Sequence, residues 1–229
     1  IDLIKQKGAQ IIILPYGSDW IQYSKYSNSA SFKHGLLAHY PHSIAGEERL
    51  EEKISFLNKK ANIIVAGGNL VTKVWHVLSC NYIIVDEERF NKEEGESDKP
   101  KSGKIIIAHS PNHRLIKGTE YLIEAVEQLI REGYNIELLL LEKMKNDDVL
   151  MALKYKADIL VDQLLSGYAL SAIEGMACGL PVISNMEDTE YDRKVLRRFS
   201  YLDECPILSA TPETIKENLK YLVKNPALV

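Results

Sequence analysis

KIIIA at 104–108, NIELLLL at 135–141, DILV at 158–161 and PVIS at 181–184 are short apolar runs, and each reads as a buried strand. Between them the hydrophobic period changes to that of a helix. Residues 117–131 place Leu122, Val126, Leu129 and Ile130 on one face. Residues 147–156 make a second helix, and residues 168–178 a third, which Gly179 ends as a C-cap. A closing helix is expected over 211–224, with Thr211 as its cap and Pro212 at its first position. Strands alternating with helices of this length predict βαβ units and right-handed crossovers, hence an α/β fold with a doubly wound parallel sheet. Ligands of such sheets sit at the carboxyl ends of the strands. The loops that follow the apolar runs are therefore where chemistry is to be sought.

Upstream the alternation is weaker. Residues 11–14 form an apolar run that ends at Pro15 and Gly17, a strand with a loop behind it. Residues 18–42 are rich in Tyr, Ser and His and read as helix pieces and loops. Residues 47–60 are helical: Leu50, Ile54 and Leu57 share a face, acidic residues crowd the start and lysines the end. A strand is expected over 62–66, a helix over 70–78 and a third strand over 82–85. Residues 91–103, NKEEGESDKPKSG, hold no large apolar side chain and read as a linker. The domain boundary is placed there, giving domains 1–102 and 103–229.

The chain has 229 residues, enough for two domains, and 45% hydrophobic against 26% charged residues exclude disorder of the whole. The apolar runs fall far short of the roughly 20 residues a bilayer span needs. A net charge of −4 offers no basic excess for nucleic acid. Cys80, Cys178 and Cys205 are isolated and odd in number, with no CxxC pair, so neither a disulfide framework nor a zinc site is expected, and a reducing, cytosolic setting fits. Residue 1 is Ile, no signal peptide is visible, and the chain reads as a fragment incomplete at both ends.

Two loops carry candidate chemistry. HSPNHRLIKGT at 109–119 leads from a strand into a helix N-terminus and holds His109, His113, Arg114 and Lys117. It reads either as a phosphate or diphosphate site, since helix N-termini welcome anions, or as a solvated loop whose lysine tops a helix. It is not a P-loop, and without GxGxxG a dinucleotide enzyme is disfavoured. LLSGYALSAIEGMACGLPVI at 164–183 places Glu174 on a helix of small and apolar residues. Its carboxylate either faces solvent or accepts hydrogen bonds from a diol, whose two hydroxyls match its two oxygens. Three further features have two readings each. Residues 16–19 are a strand-end turn with Asp19 as a cap, or part of a cleft. Arg193, Lys194, Arg197 and Arg198 are a solvated helical face, or a patch for an anionic lipid or acceptor. Asp158 and Asp162 suggest a metal, but no second cluster completes a site.

HSPNHRLIKGT, the amphipathic helix after it and KADILVDQLLSGYALSAIEGMACGLPVIS together resemble the nucleotide-binding half of retaining glycosyltransferases of the GT-B fold, family 4 (glycosyl transferases group 1). There a KG pair opens the first helix of the carboxyl-terminal domain. An "aD" strand follows, then two glutamates separated by seven residues, a small-residue helix and GxPVI. Residues 104–185 carry the resemblance closely and the flanks loosely. It implies two Rossmann-like domains, with residues 1–90 the later part of an incomplete amino-terminal acceptor domain. It also implies transfer of a sugar from a nucleotide-diphosphate sugar to an acceptor hydroxyl, with retention and without a metal or other cofactor.

The residue roles implied are specific. Lys117 matches the lysine that grips the diphosphate, and Glu174 the second glutamate, which binds the ribose hydroxyls. The family's phosphate arginine lies five residues before the lysine, where this chain has Asn112. Arg114, three before it, either substitutes or faces solvent. Lys117 and Arg114 would stabilise the departing diphosphate. Ser166 stands where the first glutamate meets the donor sugar, so that contact is changed or weakened. Gly167, Tyr168 and Ala169 fit the turn whose backbone N–H groups approach sugar and phosphate. His109 and His113 contact the diphosphate or are structural. The implied acceptor is a carbohydrate or glycolipid, as in cell-surface polysaccharide assembly. The implied place is the cytoplasm, extending to peripheral association with the inner face of the membrane. Ser166 also motivates the alternative of a nucleotide-sugar-binding module, or a degenerate glycosyltransferase without activity.

Overall fold

A computed structural model describes residues 1–15, 30–42, 46–66, 77–79, 86–90, 103–186 and 204–229. The chain divides into two units. Ile1–Asn28, Leu36–Tyr82 and Thr189–Cys205 form the first; Ser29–Gly35, Ile83–Asp188 and Pro206–Val229 form the second. Each unit is thus assembled from more than one stretch of the chain.

The first unit holds α1 (Asp2–Gln6), β1 (Ile12–Ile13), the end of α2 (Ala30–His39), α3 (Glu47–Lys60), β2 (Ile63–Ala66) and β3 (Val77–Ser79). Its strands form a parallel sheet in the order β1-β2-β3, with Ile12 opposite Ile63 and Ile64 opposite Val77. α3 has the bounds its sequence predicts. Leu50, Ile54 and Leu57 pack around Ile64, and Glu47 and Lys60 sit at the ends where the helix dipole favours them. The helix expected over 70–78 is corrected at its end, because Val77–Ser79 is a strand beside β2. So short an apolar run has no period that separates strand from helix, and the open edge of β2 supplies its hydrogen-bond partners. Residues 70–76, the strand expected over 82–85 and the linker at 91–102 lie outside the described residues.

The second unit continues with α4 (Glu87–Phe90), β4 (Ile105–His109), α5 (Arg114–Lys117), α6 (Thr119–Arg131), β5 (Ile136–Leu140), α7 (Asn146–Tyr155), β6 (Ile159–Val161), α8 (Leu170–Ala177), β7 (Val182–Ser184), β8 (Leu208–Ser209) and α9 (Ile215–Lys224). Its sheet is parallel throughout, in the order β5-β4-β6-β7-β8. The α/β class with parallel sheets is therefore as expected. Ile107, Ile159, Val161 and Ile183 pack with Leu122, Val126 and Leu129 of α6 and with Ile215, Leu219 and Leu222 of α9. Leu160 alternates with its neighbours and points to the opposite face, where α8 covers it. Helices thus cover both faces. No helix among the described residues is long and apolar enough to cross a membrane.

Three helix starts are corrected. Residues 114–117 are a separate turn, closed by Gly118 at φ +78, so α6 begins at Thr119 and not at 117. Gly118 is needed there: its φ is one that L side chains rarely adopt, and a Cβ would lie 3.1 Å from that of Leu164. α9 begins at Ile215 and not at 211: residues 212–214 form a turn in which the Thr211 amide donates to Thr214 Oγ1 at 2.9 Å and the Thr211 carbonyl accepts from the Ile215 amide at 3.0 Å, and the regular helix follows it. α8 begins at Leu170 and not at 168, because the Ala169 amide is held by Asp162. The strand β8 was not anticipated; two residues carry too little pattern to be read.

Gly175 sets how closely α8 can approach the sheet. A Cβ there would lie 2.3 Å from Leu160 Cδ2 and 3.1 Å from Val182 Cγ2. Gly175→Ala is expected to cost about 1–3 kcal/mol through overpacking. A lowered urea midpoint for the second unit checks this; an unchanged midpoint would mean that α8 is not seated on Leu160.

Candidate functional site at the carboxyl edge of the second sheet

Three adjacent strands end alike. The apolar run of β4 stops at His109-Ser110, that of β6 runs into Asp162-Gln163, and that of β7 ends at Ser184-Asn185. Of these six residues all but Ser110 are buried. Buried polar groups must find partners inside the protein, and the partners define the site.

Asp162 is the hub. Its side chain is fully buried, and it accepts from Lys117 Nζ at 2.9 Å, from Ser171 Oγ at 2.5 Å and from the Ala169 amide at 2.6 Å. The Ala169 side chain offers no cap to α8. Asp162 supplies one from a neighbouring strand, placing a negative charge where the helix has unsatisfied N–H groups and a partial positive charge. Lys117 is held twice over, since its carbonyl also accepts the Leu164 amide at 2.9 Å.

His109 lies beside this pair. Its Nδ1 is 2.8 Å from the Val161 carbonyl and its Nε2 is 2.8 Å from Thr119 Oγ1. A carbonyl only accepts, so Nδ1 carries the proton and Nε2 accepts from the threonine hydroxyl. Burial pushes the imidazole pKa down to about 4, with the neighbouring Lys117 charge acting in the same direction. The ring is neutral, and both its nitrogens are committed inside the protein.

The loop between β6 and α8 is laced from below. The Gly167 carbonyl accepts from Gln163 Nε2 and from Ser184 Oγ, each at 2.8 Å. Asn185 Nδ2 donates to the Leu164 carbonyl at 2.9 Å. Ser166, Gly167, Tyr168 and Ala169 are half-buried in this loop. The Ala169 amide, expected to approach a ligand, is taken by Asp162.

Glu174 is half-buried on α8 and accepts a long hydrogen bond, 3.4 Å, from Asn146 Nδ2 at the start of α7. Arg89 holds that asparagine from its other side, at 2.7 Å. A carboxylate has about four acceptor positions, so this contact leaves it acceptor capacity for a diol. Arg114 donates through Nε to Glu120 at 2.8 Å and through Nη1 to Glu142 at 3.1 Å. Glu120 foremost, with Glu142, raises its pKa above the ordinary value. Asn112 is exposed in the loop after β4, and His113 occupies the cap position of α5.

Lys117 and the 166–169 turn thus meet through Asp162, Glu174 follows on the same helix, and Arg114 is held apart by two acids. An open cavity of about 500 Å³ is lined by Arg114, Leu115, Gly118, Glu120, Tyr121, Leu165 and His34; neither Lys117 nor Glu174 lines it. Among the described residues no three His, Cys, Asp or Glu side chains converge to hold a metal ion. Asp158, weighed as a metal ligand, accepts the Ile106 amide at 2.7 Å. Residues 16–19 and 193–198 lie outside the described residues. Sequence reading missed the central place of Asp162 and the parts played by Thr119, Gln163, Ser171, Ser184 and Asn185. The signal that could have found most of them is the polar pair repeated at three strand ends.

No family model and no curated protein matches the sequence. A solved structure described as the glycotransferase of kitacinnamycin is similar at 12% identity and a TM-score of 0.44, over 99% of this chain and 65% of that one. The chain therefore spans just under two thirds of the length of that protein.

Two outcomes follow from the geometry. Lys117→Ala leaves Asp162 buried without a counter-charge and is expected to cost about 3–5 kcal/mol, read as a lower urea midpoint. His109 stays neutral in the folded state down to about pH 4, whereas the unfolded chain takes up a proton below its ordinary pKa of 6.5. Its contribution is therefore intact above pH 6.5 and is lost as the pH falls towards 4. Between pH 7 and pH 5 it amounts to about 2 kcal/mol. His109→Gln should flatten this part of the pH dependence of the urea midpoint; a slope unchanged in the variant would refute the assignment.

Proposed function

We propose that the chain carries the donor side of a glycosyltransferase. Its carboxyl-edge site would bind a nucleotide-diphosphate sugar, and the sugar would pass to an acceptor hydroxyl with retention of configuration and without a metal. The observation that carries this reading is Glu174: a half-buried carboxylate on a helix otherwise of small and apolar residues. Gly175 seats that helix tightly against Leu160, which fixes where the carboxylate points. Such a group suits the ribose diol, and the turn at the start of the same helix suits the phosphates and sugar.

The roles follow from this. Glu174 anchors the ribose and so fixes the leaving group. Lys117 offsets the charge of the departing diphosphate; an ammonium has three donors, and Asp162 engages one of them. Arg114 joins by exchanging its exposed carboxylate partners for phosphate, and Asn112 contributes a neutral amide beside it. Ser166, Gly167 and Tyr168 border the sugar. His109 serves from beneath, by fixing the start of α6 through Thr119. The acceptor in this reading is a carbohydrate or glycolipid, and the setting is cytoplasmic with peripheral membrane association.

A second reading, a nucleotide-sugar-binding module without transfer activity, is favoured by one observation. Both cations of the site already face carboxylates, and Ser166 stands where a sugar-binding glutamate is expected.

A thermal-shift panel with UDP, GDP, ADP, CMP and NAD tests both. One nucleoside diphosphate at about 100 times its Kd should add about 2.7 kcal/mol of stability, a rise of several degrees. Glu174→Gln should abolish the rise, and NAD should give none. Release of that diphosphate from its sugar conjugate in the presence of acceptor would establish transfer. Binding without turnover would leave the module. No shift with any diphosphate would sink both readings.

A further inference from the structure

We infer that Asp162 is the positioning residue of this site: it sets the Lys117 ammonium and the first turn of α8 in one arrangement, and diphosphate affinity depends on it through them. The inference rests on the donor-site reading above. Its three short contacts come from two separate parts of the chain, Lys117 at the end of α5 and Ala169 with Ser171 at the start of α8. The carboxylate has no solvent exposure, and an anion would be repelled by it, so it does not meet the donor itself. What it fixes are the groups that would. The side chain of Lys117 is 8% exposed, and among the described residues Asp162 is the group that holds its ammonium in place.

The choice of variant matters. Asp162→Asn would free Lys117 but would also make the site more positive, and the two effects on anion binding oppose each other. Asp162→Glu keeps the charge and moves the carboxylate by one methylene, so it isolates position. Calorimetric titration of wild type and Asp162→Glu would use UDP, GDP and ADP, each beside its nucleoside, with inorganic pyrophosphate as a further probe. The expected result is a loss of about tenfold or more for the diphosphate that binds, as when a charge-assisted hydrogen bond is broken. The matching nucleoside, held through Glu174, should bind unchanged, and pyrophosphate should weaken with the diphosphate. If Asp162→Glu does not fold, Ser171→Ala carries the test. It removes one of the three short contacts without adding volume, and a severalfold loss for the diphosphate alone is expected.

Equal losses for nucleoside and diphosphate would mean that Asp162 only supports the fold, and would overturn the inference. So would an undiminished diphosphate affinity; in either case the donor-site reading survives. Wild-type protein that binds none of the diphosphates would overturn the inference and the donor-site reading together.

Discussion

A carboxylate without access to water must find its hydrogen-bond donors inside the protein, and in this chain that constraint falls on Asp162. Much of the local architecture answers it. Lys117 has to turn inward, which requires a one-turn helix that stops at once and a left-handed Gly118 before the next helix can start. The Ala169 amide has to face the strand, which delays α8 to Leu170. Ser171 has to stand on the first turn of that helix with its hydroxyl directed back. One buried charge thus links a strand end, two helix starts and a loop that are distant in sequence.

The neighbouring histidine shows why the arrangement tolerates a second polar group. A protonated imidazole beside the Lys117 ammonium would repel it. Burial keeps His109 neutral, and its two hydrogen bonds join the end of β6 to the start of α6. The same economy governs the loop beneath the turn, where Gln163, Ser184 and Asn185 spend their donors on loop carbonyls. The 162–169 loop is held by side chains from the strand ends, and its shape follows from the sheet.

Much of this was legible in the sequence. Apolar runs gave the second unit's strands from β4 to β7 to within a residue or two, and the spacing of Leu50, Ile54 and Leu57 with the end charges gave α3 outright. Glu174 stood out because it is the one charge on an otherwise small and apolar helix. The failures have physical causes. Lys-Gly-Thr at 117–119 reads equally as a helix start and as the end of a turn, and only the positive φ of Gly118 decides. Thr211 and Thr214 are both capable caps, and residue type alone does not show that a turn at 212–214 precedes the regular helix. The buried partner of Lys117 is not legible because Asp162 lies 45 residues away, beyond any local pattern.

The charges at this edge then divide by how firmly they are held. Lys117 and Asp162 form a buried pair, and removing either partner costs about 3–5 kcal/mol. Arg114 is 38% exposed, as are parts of Glu120 and Glu142, and pairs of that kind are worth about 0–1 kcal/mol each. A diphosphate could therefore draw Arg114 away from its acids at little cost, but could not draw Lys117 away from Asp162. Under the proposed function the two cations are not equivalent. Lys117 acts from a fixed position with the donors Asp162 leaves to it, and Arg114 is the one that moves to meet the anion. Lys117 and the first turn of α8, both set by Asp162, then supply the fixed part of the attraction for a diphosphate, and Arg114 the part that depends on an exchange of partners.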